Sequence, residues 1–212
     1  MAEHTDGGTD DSHGRERPHV LVVEDEVDVR ELYADRLADD YDVTTAGSGT
    51  EALDVLEELD GSVDVVLLDR RMPGLHGDDA LERIRESGAD ARVAVVTGVA
   101  ADLDVVGLPV DAYLEKPVDA DELRDAVDRL VRVSRYDDRV RQYFAATQKL
   151  AALDDAHVSE SAPAYRELVR RRETLERGLD DLRCRLDHED YALLFRELES
   201  DDSYDEPADL YA

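Results

Sequence analysis

The sequence predicts an α/β fold, a doubly wound parallel sheet of five strands, followed by an all-α region built as a helical hairpin or coiled coil. Residues 20–118 alternate short β-branched runs with stretches of helical period, the pattern of strands lying in a parallel sheet under covering helices. From Asp119 onward no strand pattern recurs, and apolar residues repeat every three or four positions instead. Charge divides at the same place: residues 20–118 carry a net 17 negative charges, whereas 119–200 carry a net 5 and are rich in Arg.

Strands are expected at Val20–Val23, Asp42–Ala46, Val63–Leu68, Arg92–Thr97 and Ala112–Leu114, each an apolar or β-branched run bounded by polar residues. Between them, Val27–Asp39 places Val29, Leu32, Tyr33 and Leu37 at helical spacing, Thr50–Leu59 does so with Ala52, Leu53, Leu56 and Leu59, and Gly77–Glu86 with Ala80, Leu81 and Ile84. The fourth crossover is the weakest: only Asp102–Val106 reads as helix before Gly107 and Pro109 interrupt it. Beyond Asp119, the positions Leu123, Val127, Leu130, Val133, Tyr136, Val140, Tyr143, Thr147 and Leu150 predict one helix of over 30 residues, longer than closing the sheet requires. The polar stretch His157–Ser161 suits a turn, with Ser161 as N-cap and Pro163 in the first turn of the next helix. There Tyr165, Leu168, Arg172, Leu175, Leu179, Leu182 and Leu186 follow alternating gaps of three and four, a heptad seam. A third helical piece covers His188–Leu198. A seam of this kind must pack on its partner in a hairpin, on the α/β part, or on a second chain. The single cysteine, Cys184, excludes an internal disulfide framework and is expected as a buried or half-buried helix residue.

The 212 residues hold 55 acidic and 25 basic side chains, a formal net charge of 30 negative. A chain so acidic as a whole is repelled by nucleic acid, so any DNA-contacting patch has to be local. No apolar run approaches the roughly eighteen residues that cross a bilayer, and the first residues lack the apolar stretch of a signal peptide, so a cytoplasmic location without membrane contact is expected. The bases are 23 Arg and only two Lys, Lys116 and Lys149. This composition resembles that of haloarchaeal cytoplasmic proteins, in which self-repulsion is screened at molar salt. The small, acidic segments 1–18 and 201–212 hold too little apolar surface to offset ordering and are expected as disordered tails.

Open parallel sheets gather functional groups at the carboxyl ends of their strands. Here the first strand ends in Glu24-Asp25-Glu26, the third in Asp69, the fourth in Thr97-Gly98 and the fifth in Glu115-Lys116-Pro117. Converging carboxylates repel unless a hard cation sits among them, and oxygen ligands with an open coordination sphere suit Mg2+. A carboxylate beside Mg2+, with a Lys and a Thr at hand, is the equipment for phosphoryl transfer to Asp69. A phosphatase of the aspartyl-nucleophile type needs a second Asp two residues on; that position is Arg71. VTTAGSGTEAL lacks a full phosphate-loop pattern and reads as a strand-to-helix turn, and His76 reads as solvent-facing.

The segments VLVVEDE, VDVVLLDRRMPG, VAVVTG and YLEKP, in this order and spacing, resemble the receiver domain of two-component response regulators, a flavodoxin-like fold, over residues 19–132. The resemblance implies that Asp69 is the phosphoacceptor and that Mg2+ is held by Asp25 and Asp69, by Glu24 mostly through a bound water, and by the backbone carbonyl of Arg71. It further implies Thr97 as the switch hydroxyl, Lys116 as the cation pairing with the phosphoryl group, Tyr113 as the aromatic switch, Gly98 as the small residue beside the site, and a cis bond before Pro117. The phosphoryl donor would be a sensor histidine kinase, and the chain a phosphoacceptor with slow autodephosphorylation rather than an enzyme. Arg71 puts a long cation at the rim, where it could steer the hydrolytic water.

RYDDRVRQYF, KLAALD, AYRELVRRRETLERGLDDL and DYALLFREL resemble the HalX-type region attached to haloarchaeal receivers, over 133–200. Two outputs stay open. In one, the helices dock a protein partner or a second subunit as a homodimer. In the other, Arg132, Arg135, Arg139, Arg141 and Arg170–Arg172 line a DNA-contacting face, making a transcription regulator. Interleaved Asp137, Asp138, Glu167, Glu173 and Glu176 favour ion pairs within the helices and so the first.

Overall fold

The computed structural model describes residues 17–59, 61–98 and 110–200, the last six by backbone alone. Apart from Arg17 and Pro18, the expected tails 1–18 and 201–212 lie outside the described residues, as does the short helix expected at Asp102–Val106. Five strands, β1 (His19–Val23), β2 (Asp42–Ala46), β3 (Val65–Asp69), β4 (Arg92–Thr97) and β5 (Ala112–Glu115), pair in parallel in the order β2-β1-β3-β4-β5. The helices are α1 (Val27–Leu37), α2 (Gly49–Glu58), α3 (Gly77–Glu86), α4 (Ala120–Asp155), α5 (Pro163–Arg183) and α6 (His188–Ser200). Strand order reverses between β1 and β3, so the crevice at their carboxyl ends is the topological switch point.

The period of two along the strands sorts the core into two layers. Val20 and Val22 of β1, with Val65 and Leu67 of β3, meet Tyr33 and Leu37 of α1 and Leu123, Val127 and Leu130 of α4. Leu21, Val23, Val66 and Leu68 face the other way, onto Ala52 and Leu56 of α2 and Ala80, Leu81 and Ile84 of α3. Each aliphatic side chain so enclosed contributes on the order of 1.5–3 kcal/mol. Leu32, expected on the inner face of α1, is instead 45% exposed, because Tyr33 and Leu37 already fill the contact with the sheet.

Helix starts follow local chemistry. The Ser48 hydroxyl accepts from the Glu51 amide at the head of α2, and the Asp119 carboxylate accepts from the Asp121 and Glu122 amides at the head of α4. The expected cap at Ser161 does not form: Ala162 is the N-cap of α5 without a side-chain bond, Pro163 opens the helix, and the Ser161 hydroxyl is turned to that of Ser159 at 2.8 Å. Cys184, expected to be at least half-buried, is exposed at the C-cap of α5, because the seam passes through Leu182 and Leu186.

The long helix runs unbroken from the sheet into the second half of the chain. Its first turns cover β3, β4 and β5, and its later turns pair with α5 in an antiparallel hairpin, Tyr165 donating to Asp154 at 2.9 Å near the tip and Arg139 lying against Gly178 near the base. The α5 seam turns toward α4, with Leu175 buried and Tyr165, Leu168, Leu179, Leu182 and Leu186 half-buried. α6 then folds back: buried Asp190 accepts from Arg132 at 3.2 Å, and Leu193 joins the core layer of Leu130 and Val133. At the opposite end of the sheet from the crevice, Arg92 is 5% exposed and its guanidinium is shared between Asp111 and Asp137 of α4. Arg85 also reaches Asp111, at 2.7 Å, and Arg141 reaches Asp90 at 3.2 Å. The helical half is thereby tied to the sheet by ion pairs at one end, and α6 packs back on α4.

Candidate functional site

Three parallel-sheet turns deliver the functional groups to one crevice. After β1 the chain continues one residue in register, the Glu24 amide donating to the Ala46 carbonyl at 3.0 Å, which directs the Glu24 side chain inward. It is 1% exposed, and Asp69, the last residue of β3, is 4% exposed. Asp25 is half-buried beside them. After β5 the Lys116 amide donates to the Thr97 carbonyl at 2.8 Å, and the Lys116–Pro117 peptide is cis, as the resemblance implies.

The ammonium of Lys116 stands between the two buried carboxylates, 2.6 Å from Glu24 Oε2 and 3.1 Å from Asp69 Oδ1. Burial pushes the Glu24 carboxyl up, the Lys116 bond opposes this, and the nearby Asp69 charge adds to the rise. Burial pulls the Lys116 ammonium down, but the bonds to Glu24 and Asp69 outweigh it, so its pKa lies above the ordinary lysine value. Glu24, Asp25 and Asp69 each offer an oxygen within 4.8 Å of the others. Three carboxylates thus face one ammonium, an arrangement in which a hard divalent cation with oxygen ligands fits.

Thr97 is fully buried at the end of β4, and Tyr113 is half-buried on β5, packed against the core layer that faces α2 and α3. Gly98 is exposed at the end of β4. Arg71 is exposed in the β3–α3 loop, two residues past Asp69, and His76 is exposed at the head of α3. The crevice therefore brings together Glu24, Asp25, Asp69, Lys116 and the end of β4, with Arg71 on the rim.

Sequence reasoning passed over three supports of this site. Arg30 of α1 donates to the Glu24 carbonyl at 2.6 Å and holds the β1–α1 turn. Arg70 grips Asp78 through two nitrogens, at 3.0 and 3.2 Å. Between them Gly77 passes so close to the chain that a Cβ there would lie 2.6 Å from the Asp69 carbonyl and the Arg70 Cα. The glycine at the head of α3 was visible in the sequence, but only the returning loop shows what it must clear.

The family described as response regulator receiver domain matches residues 20–128, just over half of the chain. The chain belongs to the response regulator receiver family. The HalX domain matches residues 132–195 behind it. A Haloferax volcanii protein named "Putative transcriptional regulator" is 48% identical over 146 residues, 66% of this chain and 24% of that one. The transcriptional regulatory protein YkoG of Bacillus subtilis is 32% identical over 180 residues, 82% of this chain and 74% of YkoG. The nitrate/nitrite response regulator protein NarP of Escherichia coli is 34% identical over 117 residues, about half of each chain. This chain spans only a quarter of the length of the Haloferax protein and about half that of NarP. Among solved structures, a receiver domain from Clostridium thermocellum superposes with TM-score 0.50 at 34% identity, covering 54% of this chain and 94% of that one. A signal receiver domain from Vibrio parahaemolyticus gives TM-score 0.55 at 26% identity, covering 58% and 97%. The chain thus carries a receiver domain followed by a region matching HalX, and among the described residues no helix is long and apolar enough to cross a membrane.

Proposed function

We propose that this response regulator accepts a phosphoryl group on Asp69 from a sensor histidine kinase in the cytoplasm and passes the change to its helical half. The observation that carries the reading is the buried array of Glu24 and Asp69 around Lys116 at the switch point of the sheet. An Asp69 oxygen attacks the phosphorus of a phosphohistidine, a P–O bond forms as the P–N bond breaks, and the imidazole leaves, giving an acyl phosphate. Asp25 and Asp69, the Arg71 carbonyl, and Glu24 through a water would hold Mg2+. When bound, Mg2+ supplies charge that offsets what gathers on the phosphoryl oxygens. Lys116, released from Asp69 as that oxygen is esterified, keeps its bond to Glu24 and pairs with the phosphoryl group. Thr97 donates its hydroxyl to the phosphoryl group and Tyr113 follows it inward. The chain is then a phosphoacceptor with slow autodephosphorylation rather than a turnover enzyme.

We take the receiver as residues 19–132 and the output region as 133–200, with α4 crossing the boundary. The ion pairing of Arg132 with Asp190 and of Arg141 with Asp138 and Asp90 supports output by protein interaction or homodimerisation. The transcriptional names of the relatives favour a second reading, a phosphorylation-controlled DNA-binding regulator. Incubation with phosphorylated kinase or acetyl phosphate should label the wild type and leave Asp69→Asn unlabelled; label at the wild-type level in the variant overturns the assignment. Promoter binding at molar KCl, with and without an acyl-phosphate mimic, separates the two outputs.

A further inference from the structure

A second cluster of charge lies far along α4 from the phosphoacceptor. Arg135 and Arg139, one turn apart on α4, and Arg185, just past the end of α5, line a cleft of about 480 Å³ at the base of the hairpin. In a chain with more than twice as many acids as bases, their neighbours Arg129, Arg132 and Arg141 are all paired with carboxylates. Arg135, Arg139 and Arg185 make no ion pair among the described residues. Of the two carboxylates on the cleft, Asp138 is already held by Arg141 at 2.6 Å, which leaves Asp181 against three guanidinium groups. Two like charges one turn apart on a helix repel each other, and a bound anion removes that repulsion.

The floor of the cleft is shaped for one of these groups. Gly178 sits inside α5, where glycine is among the poorest helix formers, and a Cβ there would lie 2.9 Å from Arg139 Nη1 and 3.2 Å from its Cζ. The missing side chain lets the guanidinium lie against the α5 backbone. From this arrangement we infer that the cleft is a binding site for a small phosphate-bearing anion, held by the forked donors of Arg139 and Arg135 from α4 and of Arg185 just beyond α5. A compact ligand suits it better than a nucleic-acid backbone, because Asp138 and Asp181 on its rim repel an extended polyanion. The site is separate from Asp69 and does not rest on the phosphoacceptor reading.

Calorimetric titration of the full chain with pyrophosphate, at a fixed KCl concentration and without divalent cation, tests it. The wild type and Arg83→Gln, which removes an exposed arginine on α3, should bind alike. Arg139→Gln and Arg185→Gln should each weaken binding at least tenfold, and Gly178→Ala should weaken it by displacing Arg139. Absent heat in the wild type, wild-type affinity in both cleft variants, or loss of binding in Arg83→Gln overturns the proposal. So does a result in which a short DNA duplex, and not pyrophosphate, loses affinity in Arg139→Gln.

Discussion

At the scale of single residues, the proposed phosphoacceptor crevice leaves one ammonium to serve two buried carboxylates. Glu24 and Asp69 share Lys116, so replacing either acid changes the charge seen by the other. Arg71 is exposed on the rim, and its removal should open Asp69 to water. Dephosphorylation of Arg71→Ala is therefore expected to be several-fold faster than wild type, and equal half-lives would sink that role. Tyr41 gives a pH-dependent test of packing. It is buried and donates to Asp128, and burial first, then the Asp128 bond, push its phenol well above the ordinary value. The folded state holds this proton more tightly than the unfolded chain, so the contribution is complete below about pH 10 and falls as pH rises beyond it. Tyr41→Phe should cost about 1–2 kcal/mol at neutral pH, and urea titrations should show the gap to wild type closing above about pH 10. The Asp69 and Lys116 positions were readable because a residue at a strand end is placed by the strand itself. Gly77 and Arg30 were not, since their partners are brought in by loops whose course no local pattern encodes.

At the scale of elements, α4 belongs to both halves of the molecule. Its length was legible from apolar spacing, but its anchoring was not: Asp137 reads as a partner for an ion pair within the helix until the start of β4 brings Arg92 to it. Removing a buried cation that serves two carboxylates should be severe, so Arg92→Ala is expected to cost about 3–5 kcal/mol. Asp137→Ala should cost less, about 1–3 kcal/mol, because Asp111 still holds the guanidinium at 2.9 Å. Denaturant midpoints check both, and a loss under about 1 kcal/mol for Arg92→Ala would contradict the anchoring. The missed cap at Ser161 has a similar origin. Its residue type suits a cap, but the preceding turn bonds it to Ser159 and leaves Pro163, which needs no amide donor, to open α5. At α6 the chain does better than its sequence advertised, as Asp187 and Asp190 cap each other's amides, at 2.9 and 3.0 Å.

At the scale of the whole molecule, the net charge of 30 negative sets the solvent in which these contacts can hold. Screening shortens the Debye length to roughly 3 Å at molar salt, so the melting temperature should rise steeply from dilute buffer to molar KCl; a flat profile would show that self-repulsion does not limit the fold. The sequence by itself determined the strand and helix order, the parallel sheet and the identity of the groups at its carboxyl edge, because periodicity and strand ends are local properties of a chain. Only the tertiary structure decided that the second half folds as an α4–α5 hairpin with α6 folded back on α4, that Arg92 ties the halves together, and which arginines line the cleft beside Gly178. Those outcomes depend on which charges meet across long separations in sequence, and a seam of half-apolar positions is equally satisfied by any partner that covers it.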